Sequence, residues 1–265
     1  MKYVVVTGAF GGMGKSVCNS LATSGYTVFA LDRKIEETNN EKIIPINVDV
    51  TNDDSVMQAK EEVAKFTDTV FAVCHFAGIY DLNSFMEMDS SRIEQMFQIN
   101  VLGANRVNKA FLPLLKKGST ILLTTSELAP LDPLPFTGIY AVTKSALDKY
   151  AYSLRMELQL LGISVVVLRP GAVETDMISA STQALDKFCE NTTLYACNSK
   201  RFKEIVDSVE ARKISPEKIA NKTVKILNKK RKKFVYSINR NPLLLLLNIL
   251  PARFQTFIIR KILEN

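Results

Sequence analysis

The chain has 265 residues, 47% hydrophobic and 23% charged, which suits one compact domain with a full core and room for at most an appendage. Its net charge of +7 is unevenly held: residues 229–265 carry nine Lys/Arg and one Glu, leaving the remainder nearly neutral. A neutral body excludes nucleic acid as the expected partner, and a single histidine, His75, excludes a His-rich metal site and opposes a Ser-His-Asp hydrolase. No metal is expected. The opening MKYVVVTG does not read as a secretory signal. Cys18, Cys74, Cys189 and Cys197 lack CxxC spacing and read as free, mostly buried thiols of a reducing cytoplasm.

In chain order, the pattern predicts a strand over Lys2–Val6, a helix over Met13–Ser24, and strands at Thr27–Leu31 and Ile43–Asn47. A helix at Asp53–Lys65, a strand at Val70–Cys74 and one long helix over Ser90–Leu115 follow. Then come a strand at Thr120–Thr124, a helix at Gly138–Leu161, a strand at Ser164–Leu168, a helix at Pro216–Asn228 and a strand at Phe234–Tyr236. Apolar strands without polar alternation, separated by helices, imply a parallel sheet covered on both faces. The expected class is α/β: a doubly wound Rossmann sheet binding its ligand at the carboxyl ends of the strands. Residues 1–228 are expected to form the nucleotide-binding body, with a substrate lid at about 176–214 and an extension at 229–265.

The stretch TGAFGGMGKSV places Gly8, Gly12 and Gly14 between the first strand and the first helix. Free backbone N–H groups and the helix dipole attract a pyrophosphate at such a turn. Gly8 would permit the tight turn, Gly12 the approach of a ligand, and Gly14 the packing of helix on strand. The spacing is not that of a P-loop. Asp32 lies 18 residues after Gly14, where an acidic residue bonds the adenosine ribose and repels a 2′-phosphate. Arg33 pulls the other way, toward NADP. With Gly11 rather than a basic residue at the turn, NAD is expected over NADP.

Tyr140 and Lys144 stand four apart on a predicted helix and so share a face. For a tyrosine to act as a base, its pKa must fall from ~10 to ~7, worth about 4 kcal/mol. A neighbouring cation supplies only part of that; the positive ring of an oxidised nicotinamide would supply the rest. Ser126 ends a predicted strand upstream, with Thr125 as its understudy, and Asn100 falls within the long helix.

Together, TGxxxGxG from Thr7 to Gly14, Asn100, Ser126, Tyr140-x-x-x-Lys144 and Pro170-Gly171 with Thr175 resemble the short-chain dehydrogenase/reductase family in its short form, over about residues 1–228. The resemblance implies that Tyr140 is the general acid/base, that Lys144 lowers its pKa and holds the nicotinamide ribose, and that Ser126 positions the substrate oxygen. It implies that Asn100 organises a water leading to Lys144. It also implies cofactor contacts at Thr7, Gly8, Gly12, Met13, Gly14, Asp32, Arg33, Asp49, Val50, Ala77, Gly78, Tyr140, Lys144, Pro170, Gly171, Val173 and Thr175. HFAG departs from the family's asparagine-rich element, and His75 is expected to be a packed structural residue.

The expected activity is hydride transfer between NAD(H) and a secondary alcohol or ketone, hydrophobic and steroid-like or lipid in character. A second enzymatic reading is an NADPH-dependent 3-ketoacyl reductase whose basic tail docks an acidic carrier; a non-catalytic NAD-binding sensor or scaffold is the reading from another class. The apolar run of the tail is too short to span a bilayer. One side of its last helix would carry Phe254, Phe257, Ile258 and Ile262 onto the body, a second subunit or an anionic membrane surface. The tail is also similar to those of retinol and hydroxysteroid dehydrogenase-like members. A homodimer or homotetramer in the cytoplasm, or peripheral at the inner membrane surface, is implied.

Overall fold

The computed structural model describes residues 2–210 and 212–264; the side chains of 176–181 and 209–210, and residue 211 of the expected lid, lie outside the description. Seven parallel strands form one sheet: β1 (Lys2–Thr7), β2 (Tyr26–Asp32), β3 (Ile43–Asn47), β4 (Val70–His75), β5 (Leu115–Thr124), β6 (Ser164–Pro170) and β7 (Val235–Ile238). Their order is β3-β2-β1-β4-β5-β6-β7. The chain runs outward from β1 to one edge and then outward from β4 to the other. The doubly wound sheet expected from the sequence is therefore the observed one, and β7 joins it from beyond residue 228.

The central strands are apolar because both their faces are buried. Val4 and Val6 of β1 enter one core with Val17 and Leu21 of α1 (Gly12–Thr23) and Ile219 and Ile226 of the helix Pro216–Leu227. Val5, between them, enters the opposite core. There it meets Val56 and Val63 of α2 (Asp53–Ala64) and, across the sheet, Val107 and Phe111 of a later helix. Side chains alternating on a strand thus feed two separate layers.

The helix expected over Ser90–Leu115 is broken. It runs as α3 (Ser90–Phe97), a π turn over Gln98–Leu102, α4 (Gly103–Phe111) and a tight 3-10 turn over Leu112–Leu114, after which β5 begins at Leu115. Pro113 cannot donate to a helix ladder, which stops the helix there. The strand consequently starts earlier than predicted. α5 (Gly138–Leu158) is long and unbroken and packs Leu147, Ala151 and Leu158 on the sheet. Its Asp148 receives Arg169 of β6 at two atoms, 2.9 and 2.6 Å apart.

The lid segment contains two helices that the sequence did not announce, α6 (Asp176–Asn191) and α7 (Ala196–Glu210). They close over Phe136, whose ring meets Phe188, Tyr195 and Phe202 at 4.8–5.2 Å. The helix Pro216–Leu227 is α8, and the chain ends in α9 (Pro242–Ile249) and α10 (Ala252–Glu264). Of the cysteines, Cys18 and Cys74 are buried, Cys189 is intermediate and Cys197 is exposed.

Candidate active site

Register brings the carboxyl ends of the strands level. Thr7 pairs with His75, His75 with Leu123, and Thr124 with Leu168. Whatever follows these residues therefore gathers along one edge of the sheet: the glycine turn, the 76–79 loop, Ser126 and the Pro170-Gly171 segment.

The glycine turn is held by steric necessity. Gly8 has φ +65°, and a β-carbon on it would lie 2.5 Å from the Ala77 amide nitrogen. One on Gly14 would lie 1.9 Å from the Gly8 carbonyl oxygen, so α1 starts directly against the turn. The missing β-carbon of Gly12 also makes room for the Thr175 side chain, 2.7 Å from where it would sit. The first turn of α1 has no side-chain cap at Gly11, and its first turn carries no acidic residue. Its amides and dipole remain available to an anion.

A groove of about 440 Å³ runs from this turn across the ends of β1 and β2, lined by Gly8, Gly12, Asp32, Asp49, Val50 and Gly78 among others. Asp32 accepts from the Phe10 amide at 3.0 Å and the Lys34 amide at 3.3 Å, which fixes its carboxylate at the end of β2. Arg33 also lines the groove and is exposed. Asp49 accepts from the Thr51 hydroxyl and amide, and these bonds hold its carboxyl below the usual range.

A second cavity, of about 200 Å³, lies over β5 and β6 and is mostly apolar, with Tyr80, Leu134, Phe202, Val206 and Leu244 in its wall. Tyr140, Lys144, Ser126, Pro170, Gly171 and Val173 line it too. Met13, Phe76, Gly78 and Thr175 border both spaces. The groove and the cavity therefore meet beside Lys144, whose Nζ is 3.5 Å from the β-carbon position of Gly78.

Tyr140 and Lys144 occupy the first turns of α5 and are both buried. Lys144 donates to the Thr124 carbonyl at 3.1 Å and sits 5.7 Å from the centre of the Tyr140 ring. Ser126 is hydrogen-bonded to Tyr140, while Thr125 donates to Asp148 at 3.3 Å and so turns its hydroxyl away. The Tyr80 ring closes edge-on against Tyr140 at 4.4 Å. Burial pushes the Tyr140 phenol up to about 12, with the Ser126 bond drawing it partly back, and lowers Lys144 to about 8. Desolvation opposes the phenolate more than one hydrogen bond favours it.

Asn100 lies in the π turn, 1% exposed. Its Oδ1 accepts from the Ile79 amide at 2.8 Å, and its Nδ2 donates to the Ile79 carbonyl and the Thr143 hydroxyl. The side chain is fully engaged in tying the 76–79 loop to α5. π turns recur where function needs a helix out of register. His75 contributes no chemistry here: its Nε2 lies 2.7 Å from Asn108 Oδ1, and Asn108 Nδ2 donates onward to Tyr150. The donating amide makes Asn108 Oδ1 the acceptor, so His75 carries its proton on Nε2. Burial lowers its pKa to about 4.

Sequence reasoning missed three participants. Thr143 joins Asn100 to α5, Tyr80 covers Tyr140, and buried Glu127 lines the cavity while accepting from the Asn241 amide at 2.6 Å. Only Glu127 carried a sequence signal, as a charged residue following Ser126 at a strand end. Gly171 was assigned to the cofactor, but a β-carbon there would lie 1.9 Å from the Asn239 carbonyl oxygen, so the tail's close approach also requires it.

Comparison with known proteins places these features among oxidoreductases. The family model described as short chain dehydrogenase matches residues 2–186. Mouse estradiol 17-beta-dehydrogenase 2 is 34% identical over 197 residues, 70% of this chain and 51% of that protein. The NADPH-dependent 1-acyldihydroxyacetone phosphate reductase of Schizosaccharomyces pombe is 29% identical over 183 residues, 67% of this chain and 62% of that protein. The chain thus spans about half the length of the mouse relative. An alcohol dehydrogenase of the archaeon Thermococcus sibiricus, solved with 5-hydroxy-NADP, superposes with a TM-score of 0.74 at 24% identity, covering 90% of this chain and 96% of the other.

Proposed function

The chain belongs to the short chain dehydrogenase family, and from that premise we propose that it moves hydride between NAD(H) and a lipophilic secondary alcohol or its ketone. One observation carries the reading: the anion-binding groove and the apolar cavity meet at Met13, Phe76, Gly78 and Thr175, next to the Tyr140–Lys144 pair.

The residues present fit a dinucleotide. Uncapped amides at the start of α1 suit its pyrophosphate, Asp32 its adenosine ribose, and Asp49 and Val50 border the space left for the base. Thr7 and Ala77 stay with the turn they support, through the Ala77 amide bond to the Thr7 hydroxyl. Lys144 would hold the nicotinamide ribose, and Val173 and Thr175 would meet its carboxamide end. When bound, the cofactor accepts or donates the hydride and, oxidised, brings a positive ring.

The chain's own task is to orient the carbinol and manage one proton. Ser126 holds the substrate oxygen against Tyr140. In the reductive direction the Tyr140 hydroxyl donates to the developing alkoxide, and with its pKa at about 12 it is well prepared to hold that proton until needed. In the oxidative direction it must accept a proton, which requires added positive charge nearby. Lys144 at about 8 remains mostly protonated at neutral pH and supplies part. Asn100 steadies the 76–79 loop, and any water it organises is held by its main chain.

Apolar lining by Leu134, Phe202, Val206 and Leu244 supports a lipophilic substrate, and two similar proteins are named for steroid and acyl-lipid substrates. Reduction with NADPH is the second reading, favoured by exposed Arg33 beside Asp32 and by the NADPH dependence of the yeast relative. Exposed Tyr152, Met156 and Leu160 on and just after α5 support self-association into a homodimer or homotetramer. The test is nicotinamide absorbance over a panel of alcohols and ketones with each cofactor. Turnover of steroid-like or lipid alcohols supports the reading; turnover of small polar alcohols alone overturns it.

A further inference from the structure

The C-terminal helices leave a large apolar surface uncovered. In α9, with leucines at 243–247, Leu244 lines the cavity while Leu243, Leu246 and Ile249 are 63%, 62% and 79% exposed. α10 turns Gln255 inward, where it donates to Asp132 and to the Leu250 carbonyl, with Ile258, Ile259 and Leu263 half-buried on the same side. Phe254 and Phe257 therefore face out, 61% and 59% exposed, so of the three partners expected from the sequence it is not the body that covers them. Five large apolar side chains on consecutive helices make a patch of the kind that marks an interaction surface.

The basic residues of the extension do not all serve this patch. β7 runs parallel to the sheet, so Lys229–Lys233, which precede it, lie at the amino edge; Lys232 there feels the charge of Lys2, at the start of β1. α9 leaves from the opposite, carboxyl edge. The cations that accompany the apolar helices are Arg240, Arg253, Arg260 and Lys261, all exposed, and the one acidic residue among them, Glu264, is paired with Arg260. On α10 the helical period sets Arg253, Phe254, Phe257, Arg260 and Lys261 on one outward face.

We propose that α9 and α10 form a docking surface for an anionic phospholipid bilayer, with Leu243, Leu246, Ile249, Phe254 and Phe257 entering the headgroup–acyl boundary and Arg253 and Lys261 of the same α10 face meeting lipid phosphates. Charge selects this occupant over a second copy. A two-fold contact of the patch with itself would gather the cations of both copies into one interface, where Glu264, the one acid of the two helices, is already paired. No helix among the described residues is long and apolar enough to cross a membrane, and the contact proposed is interfacial. Because Leu244 of the same helix lines the cavity, docking would set α9 between the bilayer and the substrate space; that a lipophilic substrate enters from the bilayer rests on the proposed substrate class.

The test is flotation of the full chain, without substrate, on vesicles of phosphatidylglycerol with phosphatidylcholine and on phosphatidylcholine alone. The wild-type chain floats with the anionic vesicles, and raised salt weakens it. Combined Leu243→Ser, Leu246→Ser, Phe254→Ser and Phe257→Ser lowers binding about tenfold or more. Arg253→Gln with Lys261→Gln removes the preference for anionic lipid. Met57→Ser, exposed on α2, leaves binding unchanged. Absence of flotation, unchanged flotation of the fourfold variant, or a dimer in sedimentation that this variant dissolves would each overturn the proposal. Turnover of a water-soluble alcohol by the wild-type chain separates the outcomes: turnover without flotation sinks this surface alone, and flotation without any turnover sinks the enzymatic reading alone.

Discussion

A methyl group on Gly78 would lie 3.5 Å from Lys144 Nζ and 3.2 Å from Asn100 Oδ1, so this glycine keeps open the space between the buried amine and the amide. Gly78→Ala is expected to push the Asn100 side chain off Ile79 and to shift Lys144, lowering kcat about tenfold through misplacement rather than unfolding. Steady-state kinetics with a thermal melt checks this. Unchanged kcat would show that the space has no part in the reaction.

His75 makes stability depend on pH. Its folded pKa is about 4 against 6.5 when unfolded, so the unfolded chain binds the extra proton between those values. Stability is therefore fully present above ~6.5 and falls as pH drops toward ~4, by about 3 kcal/mol at 1.36 per unit. Denaturant unfolding across that window measures it, and His75→Gln should flatten the slope.

Much of this was legible from local pattern. The run from YVVV into glycines and then a helix identified β1, the turn and α1, since a doubly buried strand and an anion-binding helix start both leave local signatures. Tyr140 and Lys144 were legible because four residues on a helix is fixed geometry. What local pattern did not contain was contact at a distance. Gly12 is small because Thr175, at the start of α6, packs on it, and Asn100 stands in a π turn because its amide is bonded to Ile79. The facing of α10 was only partly legible: hydrophobicity put Phe254, Phe257, Ile258 and Ile262 on one side without deciding among body, subunit and membrane, whereas hydrogen bonds to Asp132 and Leu250 turn Gln255 inward.

Asp32 and Arg33 should divide cofactor preference between them. Asp32→Ser removes the carboxylate at the end of the groove and leaves Arg33 to meet a 2′-phosphate. The ratio of kcat/KM for NAD over NADP is expected to fall at least about tenfold. Arg33→Ala should move it the other way. A ratio indifferent to both would place the adenosine ribose elsewhere.

Glu127 fastens the tail to the cavity wall through the Asn241 amide. Glu127→Ala strands that buried N–H and should cost about 1–3 kcal/mol in denaturant unfolding, while Glu127→Gln, which keeps an acceptor, should cost less. Equal losses for the two variants would mean that packing, not the hydrogen bond, holds α9.

The central claim is that the Tyr140 hydroxyl moves the proton of carbonyl–carbinol interconversion. Tyr140→Phe removes one oxygen and keeps the ring against Tyr80. The decisive measurement is turnover of the best alcohol from the panel by this variant, alongside its affinity for NAD. The account predicts a loss of about 10²–10⁴-fold or more in kcat with cofactor affinity within about twofold of wild type; turnover retained at the wild-type rate would contradict it.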